Sequence, residues 1–467
     1  MKYEVNFMNW LNEIEKYKED FISDLRGIIA IPSVKDTEKE NAPFGEGCRK
    51  ALDYMLELGR KEGFEVKDYN GYAGVISYGE GEESVGVLAH LDIVPIGEGW
   101  TKDPFGGEIV DGYMFGRGTV DDKGPAMAGF YALKMLKDNN IKLNKKIMLI
   151  LGCDEESGME CMEYYVKHGE IPTMGFTPDA DFPVIYGEKG GLNIRMKGTC
   201  NTVIKSMHAG DRPNIVIGKA SLVVGEWNDS LMDMFDFYLK SNGLKGSVAY
   251  TGDEATLEIE GAFAHAAMPY NGVNAALHLL NFVGSAFQDK FAADTYYMLK
   301  DWQGKPLGIA IDGAYMGFLT MNTGIVDIEN NEASIVIDIR YPNDADPDKI
   351  MEGFHKTAKE LDYGLDIVLE HNMKPLFVDP NSELVQTLSG VYREYSKDTF
   401  TPNITIGGGT YAKKFPNFVA FGPEFPNRKS PEHMYVGGCH QKDEGVNVDD
   451  LLLSVGIYTA SLEKLAK

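Results

Sequence analysis

The chain has 467 residues, more than one ordinary hydrophobic core accommodates, so two domains are expected. With 43% hydrophobic and 25% charged residues it has the composition of a soluble globular protein, and a formal net charge of −26 with scattered Lys and Arg argues against nucleic-acid and anionic-membrane partners. Cys48, Cys153, Cys161, Cys200 and Cys439 show no C-x-x-C spacing, so neither a disulfide framework nor a thiolate zinc site is signalled and a reducing cytoplasm is expected.

In chain order, the opening "MKYEVNFMNWLNEIEKYKEDFISDL" mixes charges into an apolar pattern at helical spacing, unlike the unbroken apolar core of a secretory signal. From Ser84 to about Gly187 short apolar runs alternate with helical patterns. "SVGVLAH" is followed by a hairpin around Asp111 and Gly112, a helix from about Pro125 to Lys137, the strand "KKIMLILG", a helix near 159–168 and the run "MGFTPDA". That rhythm predicts an α/β domain, with a mixed sheet carrying helices on both faces. After "YGEKGG" the texture changes to alternating strands ("NIRMKG", "ATLEIEG", "ASIVIDIRY") interleaved with helices near 217–240, 273–288 and 346–362, which predicts a separate α+β domain. Two of its segments, "IRMKGTCNTVIKSMHAGDRPN" and "LEIEGAFAHAAMPYNGVN", share a strand, a His-Ala pair and a Pro/Asn-rich turn before a helix, a weak sign of two similar halves. From about 382 the α/β texture returns and closes with a helix from Val448 to about Lys464. The expected organisation is therefore a domain built from 1–187 and 382–467, with 188–381 inserted into it.

The segment "GVLAHLDIVP" ends an apolar strand in His90 and Asp92, which point to the same side if the strand geometry holds and can converge on a proton, a partner chain or a metal. Four more segments resemble it in position: "GRGTVDDKGP" with Asp121 and Asp122, "LILGCDEESG" with Asp154, Glu155 and Glu156, "GFTPDADFP" with Asp179 and Asp181, and "GGCHQKDEG" with His440. The carboxyl ends of strands in an open α/β sheet share one crevice, so acids repeatedly placed there are pushed together. Such crowding repels by several kcal/mol unless a cation sits among the acids, and a divalent metal is the economical answer. Singly, each segment has an ordinary reading as a helix N-cap, an exposed acidic loop or a packed histidine.

In this order, "AHLDIVP", "GRGTVDDKGP", "DEESG", "PDADFP" and "GGCHQKDE" resemble the signature of the co-catalytic dinuclear metallopeptidases, the family of the aminoacylases, carboxypeptidases, desuccinylases and bacterial dipeptidases. "DPFGGEIVDGYMFGRG", "DDKGP" and the large middle domain are most similar to its PepV-type dipeptidases, of Xaa-His dipeptidase or carnosinase-like kind. The resemblance implies two divalent ions, Zn²⁺ first and Mn²⁺ or Co²⁺ as alternatives, bridged by Asp121. His90 and Asp179 would complete one ligand set, Glu156 and His440 the other. Asp92 would orient the His90 imidazole, and Glu155 would be the general base. It also implies a cis peptide between Asp121 and Asp122. In the inserted lid, His265 would meet the developing oxyanion, and Arg340 and Asn214 the substrate carboxylate and the intermediate, with Gly408, Gly409 and Thr410 lining the cleft. Cys439 departs from this pattern: it precedes the ligand histidine at a position where no metal ligand is expected, and metal binding or oxidation of its thiol both stay open.

The expected activity is hydrolysis of unblocked dipeptides, by a monomer, with a homodimer as the alternative. Two other readings stay open: an N-acyl amino acid deacylase or desuccinylase, and a non-catalytic metal-dependent binding protein, against which an intact Glu155 argues. No G-x-S-x-G, H-E-x-x-H or phosphate-binding G-x-x-x-x-G-K-[ST] motif is present.

Overall fold

The computed structural model describes residues 9–252 and 254–467, so the first eight residues of the N-terminal helical reading lie outside it. The described residues form two compact units, one drawn from 9–186, 378–404 and 409–467, the other from 187–252, 254–377 and 405–408. Among the described residues no helix is long and apolar enough to cross a membrane.

The first unit is built on a mixed sheet. Its strands run in the order Glu65–Tyr69, Ala73–Tyr78, Lys146–Gly152, Ser84–His90, Met174–Thr177 and Phe418–Ala420, and the last of these pairs through Ala420 with Ile185. The four strands from Lys146–Gly152 to Phe418–Ala420 are parallel, whereas Ala73–Tyr78 joins the sheet antiparallel. Every residue of Ser84–His90 is buried, which explains its unbroken apolar reading: both faces of a parallel strand are covered. The helix Glu46–Lys61 packs on the first two strands, and Lys123–Asp138 packs on Ser84–His90 and on the closing helix Val448–Ala466. The expected hairpin forms between Glu108–Val110 and Tyr113–Phe115, with Asp111 (φ 49°) and Gly112 (φ 81°) both left-handed, as a tight primed turn requires.

The second unit carries an eight-stranded antiparallel sheet in the order Lys245–Thr251, Glu254–Glu260, Lys219–Val224, Ile204–Ala209, Thr320–Glu329, Glu332–Tyr341, Gly190–Thr199 and Asp366–Met373. Alternate residues such as Leu192, Ile194 and Met196, or Ala255, Leu257 and Ile259, point into one core with Leu279, Leu280 and Val283 of the helix Ala275–Ala286. The period-two pattern of Gly190–Thr199 and Glu254–Glu260 follows, since one face of each strand is buried in that core and the other is more exposed.

Three sequence expectations need correction. The single helix near 217–240 is a strand, Lys219–Val224, followed by the helix Asp229–Asn242; "KASLVV" alternates buried residues with exposed or half-buried ones and is β-branched at its end, the properties of a strand. A further helix, Lys290–Leu299, follows Ala275–Ala286, started by Asp289, whose side chain accepts from the Ala292 N–H. The two repeat-like segments also part company: the turn after His208 leads into a strand, the turn after His265 into a helix.

Candidate metal centre

Within the first unit the parallel strands deliver the acidic segments to one end of the sheet. His90 is the last residue of its strand and pairs with Gly152, the last of the neighbouring one, after which the chain turns through Cys153 to Glu156. Asp179 follows Met174–Thr177 by two residues. Gly152 is required where it stands, because a Cβ there would lie 2.4 Å from the Tyr411 hydroxyl.

Asp121 is central. Its Oδ1 lies 2.8 Å from His90 Nε2, and its Oδ2 lies 3.0 Å from His440 Nε2, so one carboxylate addresses two imidazoles with opposite oxygens. His90 Nε2 is also 3.9 Å from Asp179 Oδ2, and His440 Nε2 is 3.0 Å from Glu156 Oε1. Ligand-type atoms of His90, Asp121 and Glu156 all fall within 4.8 Å of one another, as do those of His90, Glu155 and Asp179. The peptide between Asp121 and Asp122 is cis. Asp122 is fully buried; its Oδ2 accepts from the His90 N–H at 3.0 Å, and its Oδ1 has no partner. It precedes the helix Lys123–Asp138 without capping it through its side chain.

Asp92 lies beneath this group. The His90 Nδ1 contacts the Asp92 carbonyl at 3.0 Å and its carboxylate at 3.4 Å. The two carboxylate oxygens accept the N–H groups of Glu155 (3.1 Å) and Glu156 (3.2 Å). Asp92 thus holds the turn that carries both glutamates as well as the imidazole.

The charges do not balance without a cation. Burial, and behind it the charge of Asp121, pushes Asp179 well above the usual carboxylate range; burial and then Asp179 do the same to Asp122. Burial, ahead of Asp92, Glu156 and Asp121 and against the pull of His90, raises Glu155 to about 8. The hydrogen bonds with Asp121 and Glu156 raise His440 to about 10, and Asp121 and Asp92 raise buried His90 against the cost of its burial. Carboxylates gathered this closely repel one another unless a cation sits among them, and the converging donors are imidazole nitrogens and carboxylate oxygens with no thiolate. The residues therefore fit two divalent ions of the zinc, manganese or cobalt kind. His440 is 51% exposed while His90 is 1% exposed, so the group is open on the His440 side.

The other singled-out residues divide between the units. Asn214, His265, Arg340 and Gly408 belong to the second, Gly409 and Thr410 to the first. Within the second unit, the Asn214 carbonyl accepts from the Ala266 N–H at 2.9 Å, and Ile215 forms a β-bridge with His265. Arg340 is held by a bidentate pair with buried Asp338 (2.7 and 2.9 Å) and reaches the Gly407 carbonyl at 3.4 Å. A Cβ on Gly407 would lie 2.7 Å from that of Ala267, so these segments meet closely. Thr410 instead caps the short turn Tyr411–Lys414, its hydroxyl accepting from the Ala412 N–H. Cys439 is exposed and the other four cysteines are buried, all as free thiols.

Sequence reading missed two residues of the first unit. Tyr411 is buried edge-on to the His90 ring at 6.1 Å, with its hydroxyl 2.8 Å from the Cys161 sulfur. Glu444, four residues after His440, accepts from the backbone of the Asp121 loop. Its only sequence signal was its place inside "GGCHQKDEG".

The profile of the peptidase family M20/M25/M40 matches residues 86–464, and the chain belongs to this family and is a hydrolase. It is 40% identical over 483 residues to the Bacillus subtilis (strain 168) protein named "Putative dipeptidase YtjP", covering 98% of this chain and all of that one. A Staphylococcus aureus (strain bovine RF122 / ET3-1) protein, "Putative dipeptidase SAB1611c", is 35% identical over 474 residues, covering 98% and 99%. Among solved structures, aminopeptidase PepT from Bacillus cereus ATCC 10987 superposes with a TM-score of 0.58 at 18% identity, covering 96% of this chain and 99% of that one. That likeness is one of fold, and the expected family and fold class are both met.

Proposed function

We propose that this protein is a metal-dependent dipeptidase, hydrolysing the peptide bond of dipeptides with free termini at a dinuclear centre. The observation that carries the reading is the Asp121 carboxylate, whose two oxygens each face a different histidine as a bridging ligand's would. His90 and Asp179 would complete one ligand set, Glu156 and His440 the other. Full-length similarity to relatives named as dipeptidases supports the substrate class.

When bound, two divalent ions would supply the positive charge that polarises the scissile carbonyl and acidifies the attacking water. Zn²⁺ is the first assignment and Mn²⁺ or Co²⁺ the alternatives. Glu155 takes a proton from the attacking water and returns it to the leaving nitrogen, a task suited to a carboxylate that burial makes more basic than usual. Asp92 fixes Glu155 and Glu156 through their backbone N–H groups and holds the His90 ring. We assign substrate recognition to the inserted unit as a lid. Arg340, pre-set by Asp338, takes the terminal carboxylate, and His265 with Asn214 stabilises the developing oxyanion. Gly408, Gly409 and Thr410 line the substrate's path in this reading. Its support is the family motif and the gathering of Asn214, His265, Arg340 and Gly407 within one unit. The enzyme is assigned to the cytoplasm as a monomer.

The test is hydrolysis of free dipeptides, tripeptides, N-acetyl and N-succinyl amino acids by metal-stripped protein, before and after adding Zn²⁺ or Mn²⁺. Metal-restored cleavage confined to free dipeptides is expected. Preference for the acylated substrates would make it a deacylase, and silence across the panel would remove the enzymatic reading.

A further inference from the structure

The loop carrying His440 is closed at its stem. The Gly437 N–H donates to the Asp443 carbonyl at 2.8 Å, the Gly445 N–H donates to the Gly437 carbonyl at 3.0 Å, and Gly437 pairs with Glu444. From Gly445 the chain runs as the strand Gly445–Asn447, paired antiparallel with Tyr113–Phe115. Glu444 therefore stands where two paired segments part, one leading back to His440 and the other forward to Asp121. It holds both. Its backbone carbonyl accepts from the Gly116 N–H at 2.9 Å. Its side-chain Oε1 accepts from the N–H groups of Gly118 (3.0 Å), Val120 (2.9 Å) and Asp121 (3.3 Å). Its Oε2 receives Arg117 Nη1 at 2.5 Å, and both side chains are almost wholly buried. The Arg117 guanidinium rests over the Trp100 ring at 5.2 Å.

An anion buried against three converging N–H groups and one guanidinium is a built arrangement, since either partner left alone would be a costly buried charge. We infer that Glu444 is a positioning residue that joins the Asp121 and His440 loops into one body, so that the ligand shared by both proposed ions and a ligand unique to one arrive together. The inference rests on the dinuclear reading above. Glu444 touches neither substrate nor the converging ligand atoms, and it acts through the backbone of Asp121.

Glu444→Gln tests this with little change of shape. The amide oxygen can still serve the loop, but the amide nitrogen then opposes Arg117, donor against donor. Arg117→Met removes the counter-charge, and the double variant Arg117→Met/Glu444→Gln removes the clash. Full-length, chelator-stripped proteins would be titrated calorimetrically with Zn²⁺ alone, with circular dichroism of the metal-free proteins as the folding control.

The wild type is expected to bind two equivalents. Both single variants should lose about 10- to 100-fold in affinity for the equivalent that depends on His440, the usual size of such supporting contacts. The double variant should recover part of that loss, which a merely destabilised loop would not do. Folded single variants that bind both equivalents like the wild type would overturn the inference. A wild type binding fewer than two equivalents would instead remove the dinuclear reading, and this inference with it. Should Glu444→Gln fail to fold, Arg117→Met decides by the same titration.

Discussion

Replacing Asp92 with Ala removes a buried carboxylate whose two oxygens accept the Glu155 and Glu156 N–H groups at 3.1 and 3.2 Å and which stands 3.4 Å from His90 Nδ1. Each buried donor left without a partner costs about 1–3 kcal/mol, so the turn bearing both glutamates loses roughly 2–6 kcal/mol of support. Asp92→Asn keeps one acceptor and turns an amide nitrogen on the other donor, which halves the loss to about 1–3 kcal/mol. At about 1.4 kcal/mol per tenfold, Asp92→Asn should weaken metal binding by roughly 5- to 150-fold and Asp92→Ala by more. The assay is calorimetric titration of stripped protein with Zn²⁺, followed by kcat/KM for a free dipeptide at saturating metal. Turnover should fall even then, because Glu155 is set by the same carboxylate. If Asp92→Ala kept metal affinity within about twofold of wild type and kept its turnover, the argument from these two hydrogen bonds would fail.

Glu155→Gln should retain both metal equivalents while kcat falls by about 10²- to 10⁴-fold, the usual worth of a general base; unchanged turnover measured on metal-loaded protein would remove Glu155 from that role. Arg340→Lys gives up the planar fork but keeps a charge for Asp338, so kcat/KM for a free dipeptide should fall roughly 10- to 100-fold while a C-terminally amidated analogue is little affected. An equal loss on both substrates would mean that Arg340 does not read the carboxylate. Away from the centre, Asp398 accepts from the Thr401 hydroxyl, the Thr401 and Phe400 N–H groups and the Tyr392 hydroxyl, which hold its pKa below the usual range. A depressed folded pKa contributes stability that is present above the unfolded value, near about 4, and is lost as pH falls through the folded one. Asp398→Asn should therefore lower Tm at neutral pH, and the gap to wild type should close as pH drops below about 4; a gap independent of pH would contradict this.

Much of this architecture could be read from the chain because its signals are local. "SVGVLAH" shows as one apolar run since every residue of Ser84–His90 is buried, and the Asp111-Gly112 hairpin announces itself through residues that tolerate a left-handed backbone. Acids after three strand-like runs could be gathered on paper because parallel strands end on one side of a sheet. What escaped is set by tertiary pairing. Lys219–Val224 and the helix Asp229–Asn242 merged into one helical reading because short apolar runs do not distinguish the two states, and pairing with Ile204–Ala209 and Glu254–Glu260 decides. The grip of Glu444 on the Asp121 loop spans 323 residues, and nothing local marks a glutamate as an acceptor for distant backbone. Asp92 shows a similar limit: its spacing from His90 suggests a partner for the ring, but its two oxygens turn out to serve the Glu155–Glu156 backbone.

In the dinuclear reading one carboxylate, Asp121, serves two ions and hydrolysis needs both. The direct measurement is a stoichiometric titration of stripped wild-type protein with Zn²⁺ or Mn²⁺, reading bound metal and dipeptide turnover on the same samples, beside Asp121→Asn. Two bound equivalents in the wild type are expected, with turnover rising as the second fills, and loss of both in Asp121→Asn. Full turnover with one equivalent or none, or an Asp121→Asn protein that still holds two ions, would mean that Asp121 does not join two ions needed for hydrolysis.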